Sequence, residues 1–273
     1  MIETLSLFRP LNQKLLSLLN ILSKEDWNKK TVARNWTIKD VAAHLLDGNI
    51  RTISVYRDGL TLKPDIKMNG YDDLVTFLNH LNEEWVNAMK RVSTDFITDL
   101  LSETHQDYLI CLEKLNPNAQ SLFSVAWAGE EVSANWFHVA REYTEKWHHQ
   151  QQIRDAVGQQ GILTKELYKP VLDTFMRALP FKYKDIKTSS GACIELSIES
   201  EAGGKWWLER KNDHWILCNK KNLEPHVRIS IPIDLSWRLF TKAVKYETVK
   251  DAISIEGDQN LAMPAVKMIT VMA

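Results

Sequence analysis

The chain has 273 residues, of which 44% are hydrophobic and 25% are charged, a composition typical of a soluble globular protein with room for two domains. Its formal net charge of -1 excludes the strongly basic face or tail that binding to nucleic acid or to an anionic membrane would require. The sequence has no basic leader before an apolar run and no stretch of about 18 apolar residues, so we expect a cytoplasmic protein that does not span a membrane.

Apolar residues in the first half of the chain recur every three or four positions, which is typical of amphipathic helices. Thr37, followed three residues later by Asp40, forms a capping-box pattern, which predicts that a helix begins at Ile38. The segments expected to be helical are 3–22, 38–55, 71–92, 95–115 and 135–158. They predict an N-terminal all-α domain of the four-helix-bundle type, in which sites form between facing helices.

The pattern changes after Gly158 and Gly161, where we place the boundary between two domains, 1–160 and 161–273. A helix is expected first, and alternating apolar and polar residues then predict consecutive hairpin strands. The expected elements are a helix over 164–179, strands over 193–199, 205–210, 214–217 and 227–231, a helix over 233–244, a strand over 252–256 and a C-terminal helix. The second domain is therefore predicted to be α+β with an antiparallel sheet.

One face of the helix over 135–158 gathers polar side chains that can bind a metal. Relative to Glu145, at about 100° per residue, His149 lies about 40° away, Glu142 about 60°, and His138 and Gln152 about 20°. Carboxylates on one narrow face repel each other unless a cation or a proton lies between them. The stripe therefore indicates either a metal site or a solvated polar face.

Two segments together carry a family resemblance: WTIKDVAAHLLDGN at 36–49 and EKWHHQQQIRDAVG at 145–158. They resemble the DinB-like superfamily, specifically the N-terminal domain of mycothiol-dependent maleylpyruvate isomerases. The resemblance implies a four-helix bundle that binds a divalent metal, commonly zinc, through His44, Glu145 and His149. The segments WRLFTKAV at 237–244 and ISIEGDQNLA at 253–262 resemble the sterol-carrier-like domain that follows in such proteins.

The chemistry of these three side chains agrees with the resemblance. Glu145 and His149 project from adjacent turns and can chelate one ion, and His44 from a facing helix supplies a third ligand. Two imidazoles and one carboxylate suit zinc, iron or nickel and leave a fourth position open, as in catalytic sites. Structural zinc sites usually use thiolates, whereas the three cysteines here, Cys111, Cys193 and Cys218, form no C-x-x-C pair. His148 is held in reserve as an alternative ligand.

Further residues near the motifs are candidates for catalytic roles. His138 and Glu142 can orient a ligand, act as acid or base beside the metal, or simply face solvent. A substrate carboxylate would need a cationic partner, and the candidates are Arg51, Arg141, Arg154 and Arg238. Each of these arginines could instead form an ordinary ion pair. Our predicted catalytic residues are Glu142, His138 and Arg238.

The leading functional hypothesis is a metal-dependent enzyme that activates a low-molecular-weight thiol, or water, because coordination to zinc lowers the pKa of a thiol. In the isomerase that the chain resembles, addition of the thiol to maleylpyruvate permits rotation about the former double bond before the thiol is eliminated. Other family members transfer thiols or hydrolyse conjugates. We expect a small-molecule substrate and a monomer or a homodimer. Two alternatives stay open: a non-catalytic metal-binding stress protein, and a carrier of apolar ligands in a pocket lined by Trp206, Trp207, Trp215 and Trp237.

Overall fold

The first half of the chain is helical, as predicted, in a computed structural model that describes residues 1–33, 36–61 and 70–271. Its helices are α1 (Phe8–Leu19), α2 (Lys24–Trp27), α3 (Ile38–Tyr56), α4 (Tyr71–Met89), α5 (Thr94–Glu113) and α6 (Asn135–Val157). The capping box that was predicted for α3 is present, because Thr37 accepts from the Asp40 N–H while Asp40 accepts from the Thr37 N–H. None of the helices in the described ranges is long and apolar enough to cross a membrane.

The chain divides into two units. The first comprises Glu3–Ala119 and Glu145–Gly161, and so holds α1 to α5 and the second part of α6. The other comprises Met1–Ile2, Gln120–Thr144 and Ile162–Val271. The domain boundary between residues 160 and 161 stays a prediction.

The core of the first unit lies between its helices. Lys146 of α6 ties that helix to α3, because its Nζ donates to the backbone oxygen of Leu45 at 2.7 Å and to Asn49 Oδ1 at 2.6 Å. Most residues of α4 are exposed or only partly buried, although Met89 at its end reaches the core. The buried apolar residues of this core include Leu15, Leu18, Leu19, Ile38, Val41, Leu45, Leu46, Ile97, Leu101 and Ile153. This packing fixes α3 beside α6, the two helices that carry the predicted metal ligands.

The second unit contains a five-stranded sheet with helices around it. Its elements are α7 (Lys165–Met176), α8 (Leu179–Lys182), β1 (Cys193–Glu199), β2 (Gly204–Lys211), β3 (His214–Cys218), β4 (Val227–Pro232), α9 (Ile233–Phe240), α10 (Tyr246–Val249), β5 (Ser254–Gly257) and α11 (Gln259–Val266). The strand order is β3-β2-β1-β4-β5. The predicted α+β architecture of this half is confirmed.

The sheet is mostly antiparallel, as predicted, and contains one parallel pair of strands. Strands β1 and β2, β2 and β3, and β4 and β5 pair in antiparallel fashion, but β1 and β4 run parallel, with Ile194 beside Val227. Because β1–β2 and β2–β3 are consecutive hairpins, the chain reverses twice and β3 runs in the same direction as β1. The connection over 219–226 then returns the chain to the end of the sheet where β1 begins, so β4 runs in the same direction as β1.

Candidate metal centre

The three predicted metal ligands converge in the first unit. One ligand atom from each of His44, Glu145 and His149 lies within 4.8 Å of the other two. Within α6, His149 Nε2 is 3.4 Å from Glu145 Oε2, and the His44 ring meets the His149 ring edge-on with 4.6 Å between the centroids. The Glu145 side chain is 30% exposed, whereas that of His149 is 10% exposed. The carboxylate therefore forms the solvent side of the group.

The chemical state of His44 suits a metal ligand. Although its side chain is partly exposed, its Nδ1 is buried and has no hydrogen-bond partner. Burial, followed by the nearby His149 and cationic side chains, holds the pKa of His44 well below its ordinary value. The ring is therefore neutral near pH 7 and keeps a lone pair for an ion. A buried nitrogen without a partner and an imidazole, carboxylate and imidazole donor set fit a divalent cation.

A second group of buried polar side chains supports His149 from behind. Gln152 Oε1 lies 2.9 Å from His149 Nδ1, and Gln152 Nε2 lies 2.7 Å from His148 Nε2. The Trp36 ring packs near both candidate imidazoles, at 5.1 Å from the His44 centroid and 6.5 Å from that of His149. Sequence reasoning placed Gln152 on the ligand face but missed its bond to His148. The signal was present in the HHQQQ run, since residues three and four apart are neighbours on a helix.

The two candidate arginines of the first unit, Arg51 and Arg154, already have partners within the protein. Arg51 Nη2 lies 3.0 Å from Asp47 Oδ2 and also donates to Asn82 Oδ1 at 3.3 Å. Burial raises the pKa of Asp47, although Arg51 opposes this shift. Arg154 donates to the backbone oxygens of Gln160 and Lys14, which is a structural role. Of these two arginines, only Arg51 pairs with a buried acid, Asp47, which lies on α3 like His44.

The predicted catalytic residues His138 and Glu142 lie on the first part of α6, in the second unit, around Arg141. Arg141 Nη2 is 2.8 Å from His138 Nδ1 and donates to Glu142 Oε1 at 3.1 Å. Arg141 also donates to the backbone oxygen of Ser124. Burial, reinforced by Arg141, lowers the pKa of His138 to about 4. The structure thus brings these two residues together around a guanidinium, and their catalytic role stays a prediction.

Arg238, the third predicted catalytic residue, lies on α9 in the second unit. Its guanidinium is 4.6 Å from the centroid of the adjacent Trp237 ring, a cation–π contact. Of the tryptophans considered for an apolar-ligand pocket, three are buried, namely Trp206, Trp215 and Trp237. Trp207 donates from Nε1 to Glu195 Oε2 at 2.9 Å. These contacts are those of core and sheet residues, and a role for Arg238 in catalysis stays a prediction.

The geometry can be set beside known proteins. A family model described as the mycothiol maleylpyruvate isomerase N-terminal domain matches residues 8–154, more than half of the chain. Two crystal structures share the fold: the mycothiol-dependent maleylpyruvate isomerase, with a TM-score of 0.57, and a histidine-to-alanine variant of it, with 0.56. Each is 10% identical in sequence to this chain, and each match covers 92% of this chain and 91% of the crystallised chain. No curated protein matches the sequence. From the extent of the family match, the chain belongs to the family of the mycothiol maleylpyruvate isomerase N-terminal domain.

Proposed function

We propose that this protein is a metal-dependent enzyme of the maleylpyruvate isomerase and DinB type, which activates a low-molecular-weight thiol, or water, for isomerisation or thiol transfer on a small molecule. The observation that carries the proposal is the convergence of His44, Glu145 and His149 within 4.8 Å. Three protein ligands leave one position of a tetrahedral ion for a substrate or a water, as catalytic sites do. The reaction is assigned to the cytoplasm, where thiols are kept reduced.

In this proposal the two histidines and the glutamate hold a divalent ion, with zinc as our first choice and nickel or iron as alternatives. When bound, such an ion lowers the pKa of a thiol or of a water at the open position. The protein supplies a neutral imidazole at His44, because burial lowers the pKa of that ring. The carboxylate of Glu145 contributes one negative charge and stands on the solvent side, where a small molecule can approach. The Trp36 ring shields the imidazoles from water.

The choice of a thiol is supported by the similar solved structures, which are described as mycothiol-dependent isomerases. At 10% identity they support the fold and the class of chemistry to be tested, and the proposal leaves the particular thiol and electrophile open. The likeness of the second unit to a sterol-carrier domain and the oligomeric state remain predictions of the sequence.

Cobalt is a suitable probe, because a thiolate bound to cobalt(II) gives a charge-transfer band that a free thiol does not. We expect cobalt-loaded protein to develop this band when a low-molecular-weight thiol is added. The variant His149→Ala should bind little metal and show no band. The matched control is His138→Ala, which removes a histidine from the same helix and should keep both metal and band.

One outcome would contradict the proposal, and a second would narrow it. Full metal occupancy in His149→Ala would show that the ion is held elsewhere. If no added thiol changes the cobalt spectrum, a thiol is excluded as the activated group and water is the one that is left. A screen of electrophiles with the loaded protein then separates an enzyme from a protein that binds metal without turnover.

A further inference from the structure

Gln152 joins two adjacent histidines of α6 through the two ends of its amide. Its Oε1 lies 2.9 Å from His149 Nδ1 and its Nε2 lies 2.7 Å from His148 Nε2. All three side chains are buried, with residue exposures of 3% for Gln152, 5% for His148 and 8% for His149. Water therefore competes little for these atoms, and each donor has to find its acceptor within the protein.

The orientation of this amide decides which nitrogen of His149 carries the proton. His149 Nε2 faces Glu145 Oε2 at 3.4 Å, so Nε2 is the atom that would meet an ion. In the amide orientation of the structure, Gln152 Oε1 can only accept, so a ring proton of His149 lies on Nδ1 and Nε2 can keep the lone pair that a ligand needs. The Nδ1–H group donates to Gln152 Oε1. The reverse amide orientation would present an NH2 group to Nδ1, move the proton to Nε2 and block the ligand position.

The same reasoning fixes the proton of His148. Because Oε1 of Gln152 is turned to His149, its NH2 group donates to His148 Nε2, and the proton of His148 lies on Nδ1. That Nδ1 is buried without a hydrogen-bond partner. Leaving a buried donor without an acceptor destabilises the folded state.

We infer that Gln152 and His148 are positioning residues: His148 holds the NH2 end of the amide, so that the carbonyl end of Gln152 fixes His149 in the tautomer that binds a metal through Nε2. The inference deepens the proposed function, on which it rests for the presence of an ion. The tautomer itself is a property of the metal-free protein and can be measured without any ion.

Substitutions at Gln152 separate its acceptor role from simple packing. Gln152→Leu keeps most of the volume but removes both hydrogen bonds, whereas Gln152→Glu keeps an acceptor for His149 Nδ1–H. We expect Gln152→Leu to weaken zinc binding by about 10–100-fold, the usual effect of losing a partner behind a metal ligand. Gln152→Glu should restore affinity to within a few-fold of wild type. The matched control is Gln151→Leu, which removes a neighbouring buried amide and should leave zinc affinity unchanged.

The second readout is the nitrogen spectrum of ¹⁵N-histidine in metal-free protein, which distinguishes the two neutral tautomers. Wild type and Gln152→Glu should show His149 protonated on Nδ1, and Gln152→Leu should show a mixture. If Gln152→Leu fails to fold, His148→Phe serves instead, because it frees the amide to rotate. It should also give a mixture and weaker zinc binding.

The inference is overturned if Gln152→Leu binds zinc as tightly as wild type, or if His149 is protonated on Nε2 in the metal-free wild type. An unchanged His149 tautomer in folded His148→Phe overturns the role of His148. Absence of zinc binding in the wild type would instead defeat the proposed function, while the tautomer measurement would still decide this inference.

Discussion

Helix α6 carries two pairs of a histidine and a glutamate four residues apart, and the structure treats them differently. In the pair His138 and Glu142, a guanidinium from Arg141 lies 2.8 Å from the imidazole and 3.1 Å from the carboxylate. In the pair Glu145 and His149, the described part of the chain places no lysine or arginine within ion-pair distance of the carboxylate. Instead, a second imidazole, His44, approaches.

The difference shows that spacing along a helix does not by itself make a metal site. The carboxylate of the first pair is already neutralised by a positive charge built into the protein, so a metal there would have to displace an arginine. The second pair gathers lone pairs without a matching cation. The third partner, which comes from another helix or from the neighbouring residue, decides the chemistry of each pair.

The strongest way to break this comparison is to remove a histidine from each group. Zinc sites with four ligands bind with roughly 10–16 kcal/mol, or about 2.5–4 kcal/mol for each ligand, which corresponds to a loss in affinity of roughly 70- to 900-fold when one is removed. We therefore expect His44→Ala to weaken zinc binding by about two to three orders of magnitude in a calorimetric or competition titration. His138→Ala should not change the affinity. Equal losses in the two variants would show that the arginine-filled pair also holds metal.

Part of the loss of stability in acid should come from the arginine-filled pair. The pKa of His138 is about 4 in the folded protein, below the value of about 6.5 of an unperturbed histidine. Unfolding therefore takes up a proton as the pH falls, and the free energy of unfolding decreases from about pH 6.5 down to about pH 4. The full difference corresponds to at most about 3 kcal/mol.

His138→Gln should flatten this decrease in metal-free protein, measured by urea unfolding at several pH values. Other buried histidines, such as His105, whose pKa burial also lowers to about 4, keep part of the slope. His80→Gln removes an exposed histidine and serves as the control. A pH dependence that is the same in His138→Gln and in wild type would contradict the burial of a neutral His138.

Much of this arrangement could be predicted from local sequence. The Thr37 and Asp40 pair fixed the start of α3 at Ile38, and alternation over 193–199 gave the bounds of β1 as the structure has them. Spacing also put Glu145 and His149 on one face of a helix. These features depend on neighbours in the chain, whose geometry is set by the helix or strand itself.

Other features depend on distant contacts that no local pattern encodes. The parallel pairing of β1 with β4 follows from the path of the connection over 219–226, which periodicity does not describe. Helix angles place His138 and Glu142 on the same face as Glu145. They do not reveal that the guanidinium of Arg141 lies between these two side chains. The rotamer of a long side chain depends on its contacts in the folded protein. For Arg141 these contacts include a hydrogen bond to the backbone oxygen of Ser124.

The smallest expected effect concerns the cap that holds the third ligand in register. Two capping boxes of the same type begin α2, at Ser23, and α3, at Thr37, and only α3 carries a candidate ligand. Ser23→Ala and Thr37→Ala should each lower the free energy of unfolding by about 1 kcal/mol in urea titrations. Only Thr37→Ala should also weaken zinc binding, by a few-fold, because a looser first turn of α3 must be re-formed before His44 can bind. Equal zinc affinities in the two variants would show that packing against α6, rather than the cap, sets the position of His44.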